Sequence, residues 1–538
     1  MAEFVPKGLG KTGAVSLLEQ AAAAVAAGQS IVDSAIQKLG EAGGPDVAQL
    51  LAYDVAHSAA ALECARAGLE YGSSGESEAA AGIIFATDAL VDLTTRIAGR
   101  DAEWGDPTAP WDDIKAFLTV ARDPAWIAGQ VDNTVNSPRH LDDDFQMVAD
   151  SFGRFAADRI APVAEHVHRT NADIPEEVLS GLAELGGFGL SVPEEYGGFA
   201  TGGESDYMGM VVATEELSRA SLGVGGSLIT RPEILTRALV KGGTEEQRKT
   251  WLPRLASGET LVAVAVTEPD HGSDVANLTV SATESDGGWS INGVKTWCTF
   301  AGRANVLMLL ARTNPDRSET HRGLSLFIVP KPVGEGEGFE FTDDHGGKME
   351  GRPIDTIGYR GMHSYEIALD GWWVPEDHLV GGREGLGRGF YLTMEGFENG
   401  RLQTAARAVG VMQAALDAAV AYAGERKVFG RAVAEYQLTQ VKLARMASAT
   451  QVARQSAYRV AKLMAKGEGT LEVAMLKAYV CRAAEWVTRE AMQIHGGMGY
   501  AEEFPVSRYF VDARVLSIFE GADETLALKL IARKLVGA

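Results

Sequence analysis

The sequence has few cysteines, and its charge is strongly biased against basic residues. Cys64, Cys298 and Cys481 are the three cysteines among 538 residues, and they lie far apart with no CxxC pair. A disulfide framework or a metal site is therefore not expected, and each cysteine is most simply a small buried hydrophobic residue. The net charge is -24, whereas a nucleic-acid-binding protein needs a basic stripe to neutralise phosphates. No nucleic-acid partner is expected.

Long apolar runs are also missing. The longest candidates, AAAAVAAG and LVAVAVTE, are well below the roughly 20 residues that span a bilayer. The N-terminal stretch MAEFVPKGLGKTG lacks a basic segment that leads into an apolar core and a cleavage site. The sequence therefore predicts no membrane segment and a cytoplasmic location.

Four regions differ in sequence pattern and predict four domains. Residues 1–137 are rich in alanine at helical spacing and predict a helical extension, and residues 138–260 continue as amphipathic helices. Residues 261–385 change to short runs of β-branched and aromatic residues between Gly, Asn and Pro, typical of a β-barrel or sandwich. Residues 386–538 return to helices long enough for a bundle. The expected fold class is α+β.

The extension and the C-terminal region share one layout, a helix, a glycine-containing break and a second helix that ends at glycine. Two explanations remain open. The extension is a degenerate copy of part of the C-terminal bundle, or both regions simply share an alanine-rich helical composition. The second explanation is favoured, because a pattern alone is weak support for duplication.

Two stretches of the β region contain residue types suited to a cofactor. VTEPDHGSD places Thr267, Gly272 and Ser273 in a turn after a strand, where hydroxyls and backbone N–H groups can meet a polar ligand. In NGVKTWCTF, Trp297 and Thr299 are two residues apart in a strand, so strict alternation places them on one face. An aromatic ring beside a hydroxyl suits a planar cofactor with polar edges.

Three stretches of the C-terminal region add to this set. ERKVFG contains Arg426 and Phe429, and arginine suits a pyrophosphate. QIHGGMGY offers glycines that let a backbone approach a ligand closely. In FEGADETL, Glu520 is either an acid at the start of a surface helix or a base beside Phe519 and Gly521. Taken singly, each stretch is also typical of an ordinary turn, a solvated loop or a core residue.

In this order, the five stretches resemble the flavin-dependent acyl-CoA dehydrogenase family over about residues 140–538. The resemblance implies an N-terminal helical domain, a central β-barrel or sandwich domain and a C-terminal four-helix bundle, here with an added N-terminal helical extension. It implies an oxidoreductase that acts on a CH–CH group of an acyl-CoA, with FAD as cofactor. It also implies an electron-transfer flavoprotein as acceptor and a homodimer or homotetramer.

The resemblance assigns roles to individual positions. Glu520 matches the catalytic base that takes the α-proton, while the β-hydride passes to flavin N5. Trp297 and Thr299 match the pair against the isoalloxazine, and Arg426 and Phe429 match residues that reach the FAD of a neighbouring subunit. The cofactor-binding positions implied are Thr267, Gly272, Ser273, Trp297, Thr299, Arg426, Phe429, Gln437, Gln493, Gly496 and Gly497.

Two departures from the family pattern bear on the base. Some members carry the base on a helix of the bundle, but this chain has Gly400 there, and Glu398 would point elsewhere on a helix. Glu520 is therefore the expected base, and an apolar, water-poor site strengthens a carboxylate as a base. Many members have a hydroxyl and an amide where this chain has Ala522 and Glu524, which leaves open the contacts of this loop to the adenosine side of FAD.

Two longer stretches, NGVKTWCTFAGRANV and GRPIDTIGYRGMHSYEIALDGWWVPEDHLVGG, bear on the acyl group. They resemble members that oxidise (2S)-methylsuccinyl-CoA to mesaconyl-CoA in the ethylmalonyl-CoA pathway, and those members also carry an added helical region. A free carboxylate on the acyl group needs a cationic or hydrogen-bonding partner. The candidate substrate-binding residues are Arg231, Arg360, His363, Arg401 and Gly521.

Several alternatives remain at this stage. Each charged candidate for the acyl site is also explained by an ordinary salt bridge. The enzyme is alternatively another short- or branched-chain acyl-CoA dehydrogenase, or an acyl-CoA oxidase. A non-enzymatic flavoprotein that binds DNA is disfavoured by the acidic chain. We expect the extension to pack over its own subunit or a neighbour and to narrow access to the acyl pocket.

Overall fold

The computed structural model describes residues 11–106, 108–334 and 338–537, and the chain divides into two compact units. One unit contains the residues up to Gln146 together with those from Thr404 onward, and the other runs from Met147 to Gln403. The predicted extension and most of the predicted C-terminal region thus share one unit, and the β region lies in the other. The four-domain division stays a prediction.

The extension is helical in its described part. Alanine is the best helix former, and glycine-rich breaks such as GSSG separate the helices. Helix α2 buries residues all round its circumference, as expected for a helix packed on several sides. The helices are α1 (Lys11–Glu41), α2 (Gln49–Gly72), α3 (Glu76–Ile97), α4 (Thr108–Ala121), α5 (Pro124–Ala128) and α6 (Val131–Val135).

Helices also dominate the region before the sheet. A capping box starts one of them, in which Thr244 Oγ1 accepts from the N–H of Gln247 at 3.2 Å and Gln247 Oε1 accepts from the N–H of Thr244 at 3.0 Å. The helices are α7 (Asp143–Phe155), α8 (Ala161–Thr170), α9 (Glu176–Glu184), α10 (Glu204–Ala220), α11 (Thr230–Gly242) and α12 (Glu245–Ala256).

A mixed sheet forms the central β region. Its strand order is β1-β4-β2-β3-β8-β7-β6, with β5 paired to β4, and β1 and β2 run parallel to β4 while the other pairs are antiparallel. Trp289, Ile291, Phe327 and Met349 belong to its buried core. The strands are β1 (Val262–Ala265), β2 (Ser281–Ser285), β3 (Gly288–Thr299), β4 (Val306–Arg312), β5 (Leu324–Pro330), β6 (Phe339–Thr342), β7 (Lys348–Ile354) and β8 (Ser364–Pro375).

Long helices return after the sheet, and a short hairpin of β9 and β10 separates the first two of them. The unit boundary falls within the first helix, between Gln403 and Thr404. The elements are α13 (Gly389–Glu425), β9 (Lys427–Val428), β10 (Arg431–Ala432), α14 (Gln437–Ala465), α15 (Thr470–His495), α16 (Gly497–Tyr500), α17 (Val506–Leu516), α18 (Asp523–Thr525) and α19 (Ala532–Gly537).

The extension packs on the C-terminal helices of its own chain. A Cβ on Gly68 of α2 would lie 2.8 Å from Val452 Cγ2 of α14, so glycine permits this close approach. Ser448 of α14 donates to the carbonyl of Ala81 on α3 at 2.6 Å. Packing over its own subunit, one of the two expected arrangements, is confirmed within this unit. Narrowed access to the acyl pocket stays a prediction.

Cys64, Cys298 and Cys481 are buried and free, which confirms their reading as small core residues. Burial raises the pKa of the Cys64 thiol to about 12, so this thiol is unreactive at neutral pH. Among the described helices, none has the length and apolarity needed to cross a bilayer. The described residues also contain no group of His, Cys, Asp and Glu arranged to hold a metal ion.

Candidate active site

Glu520 lies on a tight loop between α17 and α18. The N–H of Asp523 donates to the carbonyl of Ser517 at 3.1 Å and closes this loop. Glu520 has φ 53° and Gly521 has φ 102°, and a Cβ at position 521 would lie 2.9 Å from Leu526 Cδ2. Glycine is therefore needed at position 521. A left-handed glutamate costs on the order of 1 kcal/mol, and such strain is often found at functional sites.

Two residues of α13 hold the Glu520 carboxylate. Thr404 Oγ1 donates to Oε2 at 2.7 Å, and Arg407 Nη2 donates to Oε1 at 2.8 Å. Thr404 and Arg407 are three residues apart and so share one helix face. The Arg407 side chain is fully buried and that of Glu520 is 14% exposed, so a charge-assisted pair fixes the carboxylate in a setting with little water.

The surroundings of Glu520 differ in one respect from the apolar site expected. Phe519 does lie close, with its ring centroid 5.0 Å from Cζ of Arg407. A buried guanidinium beside the carboxylate, however, makes the site charged as well as dry. A buried cation needs an anionic partner because its desolvation is costly, and Glu520 fills that role for Arg407.

The neighbouring helix α15 anchors the loop from another direction. Lys477 is buried and donates to the carbonyl of Gly521 at 2.6 Å. Ser517 donates to Glu485 Oε1 at 2.5 Å. The loop is thus held at its start by Glu485, next to Glu520 by Lys477, and at the carboxylate itself by α13. Such over-determined contacts keep a strained residue in place.

The other predicted residues of this unit are exposed and lie in turns or at helix ends. Arg426 precedes the β9–β10 hairpin, and Phe429 sits at its tip with φ 49° and a 99% exposed side chain. Gln437 is the first residue of α14, and Gln493 is in the last turn of α15. A Cβ on Gly496 or Gly497 would meet nothing within 4 Å. Their roles toward FAD stay predictions.

In the other unit, a buried ion pair ties the turn after β1 to strand β3. Lys295 Nζ donates to Glu268 Oε1 at 2.9 Å and to the carbonyl of Val266 at 2.9 Å. Burial disfavours the charged form of Glu268, but Lys295 and hydrogen bonds from Thr279 and Val280 outweigh it and hold the pKa of this carboxyl below its ordinary value. The backbone at the start of the turn that contains Thr267, Gly272 and Ser273 is therefore held in place.

The strict alternation assumed for Trp297 and Thr299 is wrong. The pairing of β3 with β8 shifts register between Lys295 and Cys298, and Trp297 has φ 55°. This bulge leaves Trp297 55% exposed while Thr299 is buried. The hydroxyls of Thr299 and Ser364 are 2.9 Å apart and share a hydrogen bond. A bulge adds a residue on one strand and re-aims its side chain.

These residues fit FAD. An indole is held at the surface of the sheet by a bulge, with a hydroxyl pair two residues away. At Gly272, the nearest atom to an added Cβ is Thr267 Cγ2 at 4.0 Å, so the turn has room for a ligand against its backbone. A flat aromatic surface with polar groups and open glycine turns suits a planar ring system that carries a pyrophosphate.

The predicted substrate residues of this unit have partners of their own. Arg231 is buried and donates to the carbonyl of Ser227 at 3.1 Å and to Tyr359 Oη at 3.1 Å. Arg360 donates to the carbonyls of Thr356 and His168 at 3.0 and 2.9 Å.

His363 lies 3.2 Å from Asp173, and Arg401 is buried. Their substrate roles, like that of Gly521, stay predictions.

Sequence reasoning missed Thr404, Arg407 and Lys477. Arg407 did leave a signal, since it is a lone cation in the apolar stretch AARAVGVMQAAL, and such a cation needs a buried partner. Thr404 left none, because threonine in a helix usually bonds its own backbone. Lys477 contacts a backbone carbonyl, and no pattern in the sequence marks such a contact.

Three protein-family models match the chain in order. They describe the acyl-CoA dehydrogenase N-terminal domain at residues 142–259, the middle domain at residues 263–371 and the C-terminal domain at residues 387–536. An oxidoreductase that depends on FAD follows from these models and from the fit described above. The chain belongs to the acyl-CoA dehydrogenase family.

Individual relatives agree with this assignment. The (2S)-methylsuccinyl-CoA dehydrogenase of Cereibacter sphaeroides is 45% identical over 398 residues, which cover 74% of this chain and 70% of that protein. A chain from the electron transferring flavoprotein structure of Acidaminococcus fermentans is 30% identical with a TM-score of 0.66, covering 74% of this chain and 98% of that one. A glutaryl-CoA dehydrogenase of Mycobacterium smegmatis in complex with FADH2 is 25% identical with a TM-score of 0.65, covering 75% and 97%.

Proposed function

We propose that this protein catalyses the FAD-dependent α,β-dehydrogenation of a short branched acyl-CoA, with Glu520 as the base. The observation that carries the proposal is the strained Glu520, whose carboxylate is fixed by Thr404 and Arg407. The substrate we propose is (2S)-methylsuccinyl-CoA, oxidised to mesaconyl-CoA in the ethylmalonyl-CoA pathway. The 45% identity to a dehydrogenase of that name supports this choice.

The geometry around Glu520 suits removal of an α-proton. The α-hydrogen of a thioester is weakly acidic, so the base must be placed within about 3 Å of it. Thr404 and Arg407 each hold one carboxylate oxygen, which fixes that position. The charge of Arg407 keeps the carboxylate ionised and so able to accept a proton. Bound FAD supplies the hydride acceptor for the β-hydrogen.

The proposed substrate is a diacid. In methylsuccinyl-CoA the free carboxylate is attached to the β-carbon, only two bonds from the carbon that loses the proton. A cation that receives this carboxylate must therefore lie close to the base; the fully buried Arg407 lies there but already pairs with Glu520. Arg231, Arg360, His363 and Arg401 remain the candidates for the acyl site; Arg231 and Arg360 each also donate to two groups of the protein, and His363 lies 3.2 Å from Asp173.

The test is a panel of acyl-CoA thioesters with a dye as electron acceptor. We expect the highest kcat/KM with (2S)-methylsuccinyl-CoA, and we expect Glu520→Gln to lose at least about a thousandfold in turnover, because the amide cannot accept the proton. Glu468→Gln is the matched control, since Glu468 is an exposed acid between α14 and α15. Full turnover in Glu520→Gln would remove Glu520 from the mechanism. A preference for a straight-chain monoacid thioester would still support acyl-CoA dehydrogenase activity, but it would reject (2S)-methylsuccinyl-CoA as the substrate.

The acceptor and the assembly belong to the same proposal. We propose an electron-transfer flavoprotein as acceptor, so reoxidation of the reduced protein should be fast with it and slow with air. Fast reoxidation by air alone would indicate an oxidase.

We also propose a homodimer or homotetramer, supported by Phe429 at 99% exposure on the β9–β10 hairpin, since a solvated phenylalanine is costly. A cytoplasmic location stays a prediction.

A further inference from the structure

Helix α2 of the extension reaches the loop that carries Glu520. Tyr53 Oη donates to Asp523 Oδ2 at 2.7 Å, and His57 Nε2 lies 3.3 Å from the same oxygen. Tyr53 and His57 are four residues apart and share one face of α2, where their rings meet edge to face at a centroid distance of 4.3 Å. The side chains of His57 and Asp523 are 4% and 14% exposed.

Asp523 is the residue that connects this contact to the base. It is three residues after Glu520 in the chain, and its N–H closes the loop by its bond to the carbonyl of Ser517. Glu520 lies inside that closed loop. Any shift of the Asp523 side chain therefore moves one end of the segment that sets the position of the Glu520 carboxylate.

The protonation states favour a strong bond. Burial disfavours the charged form of Asp523, but the neighbouring His57, the hydrogen bond from Tyr53 and the nearby charge of Arg482 outweigh it and hold the pKa of Asp523 below its ordinary value. Burial and the bond to Asp523 raise the pKa of Tyr53 to about 12. At neutral pH a protonated hydroxyl thus donates to a carboxylate, which is a charge-assisted hydrogen bond.

Other contacts of the extension hold helices rather than this loop. Asp88 on α3 accepts from Arg445 Nε on α14 at 2.8 Å. Such contacts tie the extension to the bundle, and they provide a matched comparison. The contacts of Tyr53 and His57, in contrast, act on the loop itself.

We propose that Tyr53 is a positioning residue for the reaction: it holds Asp523, and through it the strained loop that aims Glu520 at the α-proton. The extension then takes part in catalysis as well as in packing, and Tyr53 acts through Asp523. This inference rests on the proposed role of Glu520 as the base.

Tyr53→Phe in the full FAD-loaded protein tests the proposal, because it removes one hydroxyl and keeps the ring contact with His57. We expect kcat to fall roughly ten- to a hundredfold, the range that a small misplacement of a reacting group produces. KM and bound FAD should stay at wild-type values, and the thermal midpoint should fall only by the small amount that one lost hydrogen bond costs. The isotope effect on flavin reduction by substrate deuterated at the α-carbon should rise, because proton removal becomes the slow step.

Asp88→Ala is the control, since it removes the acceptor of an extension contact to α14 and leaves the loop untouched. It should leave kcat and the isotope effect at wild-type values. The double variant Tyr53→Phe/Asp523→Asn should be no slower than Asp523→Asn alone, because Tyr53 acts through Asp523. Additive losses would overturn the proposal, and so would wild-type kcat and isotope effect in Tyr53→Phe.

A fall in kcat that is fully explained by a smaller fraction of folded, FAD-loaded protein at the assay temperature would show a merely structural role. That result would also overturn the proposal. Glu520→Gln separates this inference from the proposed function. If Glu520→Gln is inactive and Tyr53→Phe is normal, only the inference fails. If Glu520→Gln is active, the proposed function fails first.

Discussion

At the scale of single residues, Lys331 carries a buried ammonium group directly after β5. Its Nζ donates to the carbonyl of Pro332 at 2.8 Å and lies 4.7 Å from the ring centroid of Phe339. Burial lowers the pKa of Lys331 to about 8. Because its ordinary value is near 10.5, the folded protein holds this charge at a cost on the order of 3 kcal/mol below pH 8.

Lys331→Met should therefore stabilise the protein at pH 7 by about 1 to 2 kcal/mol, after allowing about 1 kcal/mol for the lost attraction to the ring. The gain should shrink as pH rises from 8 toward 10.5, because wild-type Lys331 then loses its proton in the folded state and the cost disappears. Urea unfolding at pH 7 and pH 9.5 measures this difference. Lys348→Met, at an exposed position of β7, should show no such dependence. A gain that grows with pH would reject the argument.

The catalytic base was predictable from the sequence, but the residues that hold it and its loop were not. Glu520 stood out because Phe519, Gly521 and the motif order upstream set it apart from an ordinary helix acid. Asp523 fits that ordinary role, since it begins α18, yet its carboxylate is bound by Tyr53, which is 470 residues away in the chain. No local pattern encodes a contact over that separation, because tertiary packing decides it.

At the scale of elements, the turn after β1 depends on the buried pair of Lys295 and Glu268. Lys295→Met leaves a buried carboxylate without its cation, and breaking such a pair costs about 3 to 5 kcal/mol. We expect a lower urea midpoint and faster loss of FAD on ultrafiltration, because the turn with Thr267 loosens.

The double variant Lys295→Met/Glu268→Gln should regain part of the lost stability, because the amide of the new glutamine is neutral. Its oxygen can still accept from the N–H of Val280, which donates to Glu268 Oε1 at 2.9 Å in the wild-type protein. Wild-type stability in Lys295→Met would contradict the argument. So would a double variant that is less stable than the single one, because the unpaired charge would then not be the cause.

Strand β3 shows where a pattern fails at this scale. Its β-branched and aromatic residues predicted a strand, and Gly288–Thr299 is one. The alternation rule then failed at Trp297, because the pairing with β8 inserts a bulge after Lys295. A bulge depends on the partner strand and leaves little trace in its own sequence. The exposed indole was therefore predictable as a residue type but not as an orientation.

At the scale of the whole molecule, the sequence predicted where helices occur but not which helices pack together. The extension and the C-terminal region are both rich in alanine, so hydrophobic pattern alone cannot select partners. The selection depends on local shape, such as the place where Gly68 lets α2 approach Val452 on α14. The compact units follow from such contacts, so the extension and most of the C-terminal region share one unit.

If the extension and the C-terminal helices form one unit, their amides should become exposed together. Native-state hydrogen exchange should give the slowest amides of α2 and α3 the same opening free energy as those of α14 and α15. Gly68→Ala should lower all four values together by about 1 to 3 kcal/mol, because an added Cβ would lie 2.8 Å from Val452 Cγ2 on a well-packed face. It should leave the amides of β3 and β8 unchanged.

The matched variant is Gly209→Ala on α10, where an added Cβ meets nothing within 4 Å; it should leave α2, α3, α14 and α15 unaffected, since Gly209 lies in the other unit. Exchange of α2 and α3 at a much lower free energy than α14 and α15 would show that the extension opens on its own. The contact of Tyr53 with Asp523 would then break and reform with each opening, and catalysis would stop while the extension is open. Equal protection would instead mean that the extension holds the loop of Glu520 for as long as the C-terminal helices themselves stay folded.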